Sequence, residues 1–173
     1  MKKTILVLFL AITSVGVKAQ DSEINWLSFE EAIEKNKENP KPILVDLYTD
    51  WCGWCKKMDK TTYKNEVIVK FINDNYYAVK MDGEGKDDIS YKGKTYKYVK
   101  QGRSKYHELA AAILKGKMSY PSTAFFNTEE QLIQTVPGYL EEKKFEKILA
   151  YFTKENYKNT RWSKFEKSFK SSM

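Results

Sequence analysis

The sequence is poor in side chains that bind metal or cross-link a chain, holding two cysteines and one histidine in 173 residues. A structural zinc site needs about four ligands, and a single C-x-x-C pair with the distant His107 does not supply them. As a staple the cysteines gain little, because the chain-entropy estimate is about 2 kcal/mol for a four-residue loop against about 4.7 kcal/mol for a hundred-residue one. Long apolar runs are also scarce. The run from Ile5 to Ile12 is shorter than the ~18 residues of a spanning helix, and nothing after it is apolar enough to cross a bilayer. Internal repeats and low-complexity tracts are missing too.

What the N-terminus does have is the layout of a secretory signal peptide. Lys2 and Lys3 precede the apolar run, and Val17 and Ala19 suit the minus-three and minus-one sites of signal peptidase, so cleavage is expected before Gln20. The residue directly after that point is Gln20 and not the cysteine that accepts a bacterial lipoprotein anchor, so the product is expected to be exported to the periplasm, or secreted, and not embedded in the membrane. The remainder is enough for one domain and too little for two ordinary ones. Of the net charge of +7, three lysines belong to the leader, while Lys154, Lys158, Arg161, Lys164, Lys167 and Lys170 face only Glu155 and Glu166 in the tail. The body is therefore near neutral. A basic balance confined to a tail reads as a solvated helix face, and no nucleic-acid partner is expected.

Along the chain, Ser28-Phe29-Glu30-Glu31 has the form of a capping box and predicts a helix to about Glu38. Ile43 to Tyr48, apolar on both faces apart from Asp46, predicts a buried parallel strand. Helices follow to about Thr61 and over Asn65 to Ile72, then a strand from Tyr76 to Met81. The polar stretch 83–103 reads as an insertion whose Lys92-Gly93-Lys94 suits a hairpin turn. Its tyrosines, Tyr91, Tyr96 and Tyr98, either contact a partner or cover the core. A helix over Tyr106 to Lys115, strands over Thr123 to Phe126 and Leu132 to Val136, and a closing helix over Leu140 to Phe152 complete an α/β fold with a mixed sheet flanked by helices. Trp162, Phe165 and Phe169 predict an extra C-terminal helix. The expected organisation is thus a leader (1–19), one domain (20–153) and a basic helical extension (154–173). His107 is expected to be an ordinary surface residue.

The chemistry sits where the buried strand runs into Asp50-Trp51-Cys52-Gly53-Trp54-Cys55. A C-x-x-C pair opening a helix places its first sulfur among unpaired backbone N–H groups and at the positive end of the macrodipole, which favours thiolate. That points to thiol-disulfide exchange.

These residues resemble thioredoxin from about Asn25 to Phe152. Asp46, six residues before Cys52, matches that family's buried acid, Lys80 its lysine partner, Tyr120-Pro121 its cis-proline loop, and Gly138 the glycine after the last strand. The run from Asp50 to Lys57 with Thr61-Thr62-Tyr63 and Asn65-Glu66-Val67 is also similar to the C-terminal domain of the disulfide reductase DsbD. The chain departs from thioredoxin at Gly53-Trp54, where that family has Gly-Pro, and at Tyr120, where it has a small aliphatic residue.

The resemblance implies a thioredoxin fold with the insertion and extra helix added, and an exported thiol-disulfide oxidoreductase without cofactor or metal. Cys52 would be the nucleophile, and Cys55, deeper and less exposed, the resolving thiol. Asp46, paired with Lys80, would be its base, the alternative being a buried acid with no role beyond that pair. Trp51, Gly53, Trp54, Tyr120 and Pro121 would line a client groove, Trp51 serving equally well as packing. Partners would be protein disulfides or thiols and a membrane or soluble thiol donor, and a monomer is expected. A reductase is favoured by the likeness to DsbD; an oxidase or isomerase, and a binding module or chaperone without essential turnover, remain alternatives.

Overall fold

Strand β2 (Ile43–Tyr48) is buried along nearly its whole length and organises the sheet. It pairs in parallel with β3 (Tyr77–Asp82) and antiparallel with β8 (Ser122–Phe126). Two further strands, β1 (Trp26–Leu27) beside β3 and β9 (Leu132–Pro137) beside β8, complete the order β1-β3-β2-β8-β9. The computed structural model describes residues 23–153 and 155–173, so the expected leader and its cleavage point lie outside the described residues.

The alternation of a pleated strand sorts β2 onto two layers. Ile43, Val45 and Leu47 join Val79, Met81, Ala124 and Phe126 under α1 (Phe29–Glu38) and α4 (Glu108–Ile113). Leu44, with Ala78 and Phe125, packs under α2 (Gly53–Lys60), α3 (Glu66–Asn75) and α5 (Glu142–Thr153). Local signals set the helix starts. Ser28 and Glu31 exchange side chain to backbone bonds of 3.1 and 2.8 Å at α1, and Asn65 Oδ1 accepts from Val67 and Ile68 at α3. Helix α3 runs to Asn75, past the expected Ile72.

The insertion holds two hairpins rather than one. The first joins β4 (Ile89–Tyr91) to β5 (Lys94–Tyr96) through Lys92 and Gly93, both at positive φ, the backbone that a two-residue hairpin turn demands. It is fastened down: Tyr91 meets the Phe29 ring edge-on at 5.1 Å and donates to the Glu130 carbonyl at 2.6 Å, and Ser90 N–H donates to Glu30. Of the two readings of these tyrosines, Tyr91 and Tyr96 cover the core. The second hairpin, β6 (Tyr98–Gln101) with β7 (Ser104–His107), takes residues assigned to the following helix, which begins only at Glu108.

His107 is the clearest correction, being buried at 1% exposure rather than on the surface. Its Nδ1 accepts the Leu109 N–H at 3.2 Å, capping α4, and its Nε2 lies 3.1 Å from the Asp87 carbonyl, while its own N–H donates to the Gly83 carbonyl at 2.7 Å. The imidazole thus ties the start of α4 to Asp87, and the backbone of the same residue holds Gly83. Sequence periodicity carried no sign of this, because the contacts are to backbone.

The tail forms two short helices, α6 (Asn156–Asn159) and α7 (Trp162–Ser168), instead of one. The Tyr151 ring meets Trp162 and Phe165 at 5.3 and 5.1 Å, and the buried Glu146 accepts from Ser171 Oγ and Ser172 N–H.

Replacing His107 by Ala should lower stability by about 1–3 kcal/mol in denaturant unfolding, from a lost cap and unpaired buried backbone groups. His107→Asn, which retains a capping acceptor, should recover part of that loss.

Candidate functional site

β2 stops at Tyr48, and Cys52 N–H donates back to the Thr49 carbonyl at 3.0 Å, turning the chain into α2. Cys52 is the N-cap of that helix. Its Sγ accepts the Cys55 N–H at 3.1 Å, where a serine or aspartate oxygen would ordinarily sit, and the two cysteines form a disulfide. Both are buried in this oxidised state, at 4% and 3% exposure, so the expected difference in accessibility is not present here. Gly53 leaves the approach open, since a Cβ there would meet nothing within 4 Å.

On either side of Gly53 in the redox motif stand two large apolar side chains left open to solvent, Trp51 at 67% and Trp54 at 59% exposure. Trp51 is held in place as well as exposed, its indole N–H donating to Glu84 Oε1 at 3.0 Å and its ring meeting Tyr120 edge-on at 6.0 Å. Trp54 leans on Tyr139 at 5.6 Å, and the Lys57 ammonium lies 4.8 and 4.9 Å from those two rings. The Tyr120–Pro121 peptide bond is cis, and the Pro121 carbonyl accepts the Gly138 N–H at 2.8 Å, fixing the loop to the exit of β9. The space Tyr120 occupies exists because residue 83 is glycine; a Cβ there would overlap its ring and hydroxyl. Burial, with the Glu84 and Asp82 charges, pushes the Tyr120 hydroxyl up to about 12.

Asp46 lies on the α2 side of the sheet, 2% exposed, with Lys80 and Thr123 as its cross-strand neighbours. The Lys80 ammonium stands 3.4 Å from Asp46 Oδ2 and contacts Asp59 of α2 more closely. It is surrounded by the rings of Trp26, Tyr48 and Tyr63 at 5.1 to 5.5 Å. Burial pushes the Asp46 carboxyl up to about 6, overcoming the pull of Lys80, and the Asp59 charge adds to the rise. Asp46 Oδ1 and the hydroxyls of Tyr63 and Thr123 are buried without a hydrogen bond of good geometry. This is an acid poised between its two protonation states near neutral pH.

The structure thus joins Cys52 to Cys55, sets Trp51 against Tyr120 of the cis-proline loop and Trp54 against Tyr139, and places Asp46 and Lys80 on the sheet below α2. Sequence reasoning missed Asp59, Tyr63, Glu84 and Tyr139. Asp59 alone carried a local sign, lying four residues after Cys55 and so on the same helix face.

The comparisons with known proteins agree on the fold. An uncharacterized protein, B0495.5, of Caenorhabditis elegans is 37% identical over 70 residues, 40% of this chain and 10% of that protein. The thiol:disulfide interchange protein DsbD of Yersinia enterocolitica is 32% identical over 66 residues, 34% of this chain and 11% of that protein. The chain therefore spans about a tenth of the length of these curated relatives. A thioredoxin-fold protein from Helicobacter pylori superposes with a TM-score of 0.57 at 16% identity, over 75% of this chain and 82% of that one. The protein has a thioredoxin fold, and its Cys52–Cys55 disulfide in a C-x-x-C motif makes it disulfide oxidoreductase-like. A family model matches residues 13–170, and the chain belongs to that thioredoxin-like DsbH family, described as a protein of unknown function, DUF255.

Proposed function

We propose that the protein is an exported thiol-disulfide oxidoreductase acting on protein clients in the periplasm, in the direction of reduction. The observation that carries this reading is the Cys52 sulfur at the N-cap of α2, accepting a backbone N–H between the exposed indoles of Trp51 and Trp54 in the chain. The same N–H and the helix dipole stabilise the thiolate once the disulfide is reduced. The apolar rim supplies contact area for an unfolded or extended client, and peptide groups beside Pro121 supply strand-like pairing.

The chemistry balances within two cysteines and one client disulfide. The Cys52 thiolate attacks a client sulfur, its partner sulfur leaves as thiolate, and a mixed disulfide forms. Cys55 then gives its proton to Asp46 and attacks Cys52 Sγ, releasing the second client thiol and leaving the Cys52–Cys55 disulfide. A membrane or soluble dithiol donor restores the reduced pair. The reductive direction is favoured by the resemblance of Asp50 to Lys57 and the residues after it to the C-terminal domain of the disulfide reductase DsbD, and the chain's similarity over 66 residues to a thiol:disulfide interchange protein, DsbD, supports exchange chemistry.

The Cys55→Ala form should accumulate a covalent client adduct on non-reducing gels, and Cys52→Ala should not; a chaperone without turnover would bind clients equally well with both cysteines replaced. Equilibrated against thiol-disulfide buffers, the pair should lie near −270 mV, and a value near −120 mV would make the protein an oxidant instead.

Asp46 generates a prediction with two readouts. Because the acting base is the carboxylate, the rate of mixed-disulfide resolution should rise as pH passes through about 6, and Asp46→Asn should flatten that limb and slow resolution at pH 7 by roughly a hundredfold. The folded-state pKa of Asp46 is raised, from 3.8 to about 6, so its contribution to stability is present below the lower value and lost as pH rises through the upper. Asp46→Asn should therefore be the more stable protein at pH 8, by up to about 3 kcal/mol, with the difference closing in acid.

A further inference from the structure

The insertion places a second wall beside the disulfide. A cleft of about 740 Å3 opens at Trp51, within the roughly 300–1,000 Å3 of ligand sites. Its two sides come from different parts of the chain. Asp50 of the redox loop, with Asp82, Glu84, Lys86 and Asp87 at and just after the end of β3, forms one, four carboxylates against one lysine; Tyr98, Lys100 and Lys105 of the second hairpin form the other. Lys100 and Lys105 are register partners and Tyr98 lies two residues before Lys100, so strand alternation puts all three on the hairpin face that lines the cleft.

The two sides carry opposite charge and leave it unneutralised. Among the described residues, none of the four carboxylates and none of the three lysines belongs to an ion pair, and the net charge of the two sides stays opposite. Burial raises the Asp82 carboxyl above its ordinary range, and the Asp50 and Glu84 charges push in the same direction. The cleft is continuous with the exposed indole of Trp51, next to Cys52 in the chain.

We propose that this cleft is a specificity subsite of the oxidoreductase described above, taking an extended client segment, adjacent to the client cysteine, in which cationic and acidic side chains alternate. The proposal rests on the oxidoreductase reading for its substrate. An extended chain points successive side chains to opposite faces, so a strand between walls of opposite sign is complemented on both only when its charges alternate. A run of one sign gains at one wall and is repelled at the other. Exposed ion pairs each change affinity by up to about fivefold and weaken with salt.

The test is reduction of disulfide peptides that share one ring and differ in a four-residue flank: Lys-Glu-Lys-Glu, Lys-Lys-Lys-Lys, Glu-Glu-Glu-Glu or Ser-Gly-Ser-Gly. The alternating flank should have a KM about three- to tenfold below the uncharged one at about 20 mM salt, with the advantage gone near about 0.5 M. In a Lys100→Ser, Lys105→Ser double variant the ratio between those two peptides should fall to about one. A lowest KM for either single-sign flank, equal values throughout, or an advantage that survives the double variant would overturn the subsite. Binding of the same flanks without cysteine, followed by tryptophan fluorescence, separates the two claims. Preference for the alternating flank without turnover of any peptide rejects the oxidoreductase reading and keeps the cleft, and turnover without preference does the reverse.

Discussion

A helix that begins at the end of a buried strand exposes N–H groups that need an acceptor, and here the acceptor is sulfur. Cys52 Sγ takes the place of the usual oxygen cap, so the same bond that starts α2 also sets the reactivity of the redox pair. The rest of the site is arranged around that point. β2 delivers the chain to it, the Tyr120–Pro121 loop meets the redox loop through the rings of Tyr120 and Trp51, and Trp51 and Trp54 remain open to solvent.

The cost of a buried carboxyl is visible in the sheet beneath. Asp46 occupies a position that an apolar residue would fill more cheaply, and Lys80 offsets its burial only in part. Lys80 is shared with Asp59 and enclosed by three aromatic rings, so its charge is spread over two carboxylates and three π faces instead of neutralising one. The outcome is a carboxyl that titrates near pH 6 and can move a proton in the range where thiols exchange.

The insertion divides its labour between two hairpins. The first is a brace from α1 to the turn before β9, fastened by Tyr91 and by Glu30. The second stands beside Trp51 and lines the charged cleft. His107 connects both to the sheet, since it fixes Gly83, Asp87 and the start of α4 at once, and Gly83 in turn makes room for Tyr120.

By itself the sequence determined what depends on neighbours within about ten residues. The capping residues Ser28 and Asn65, the apolar run of β2, the turn at Lys92-Gly93 and the C-x-x-C at a strand-to-helix junction are all local, and each specifies its element wherever the chain goes. The pairing of Asp46 with Lys80 was legible through resemblance, and it follows from cross-strand register. Only the tertiary structure decided that His107 is interior, that Tyr106 and His107 extend in a strand, that Asp59 competes for Lys80, and that Glu84 holds Trp51. Those contacts join residues up to 33 positions apart, as between Trp51 and Glu84, or join side chain to backbone, and neither leaves a periodic trace in composition. The facing charges of the cleft arise the same way, from two surfaces that the sequence wrote far apart and packing brought together.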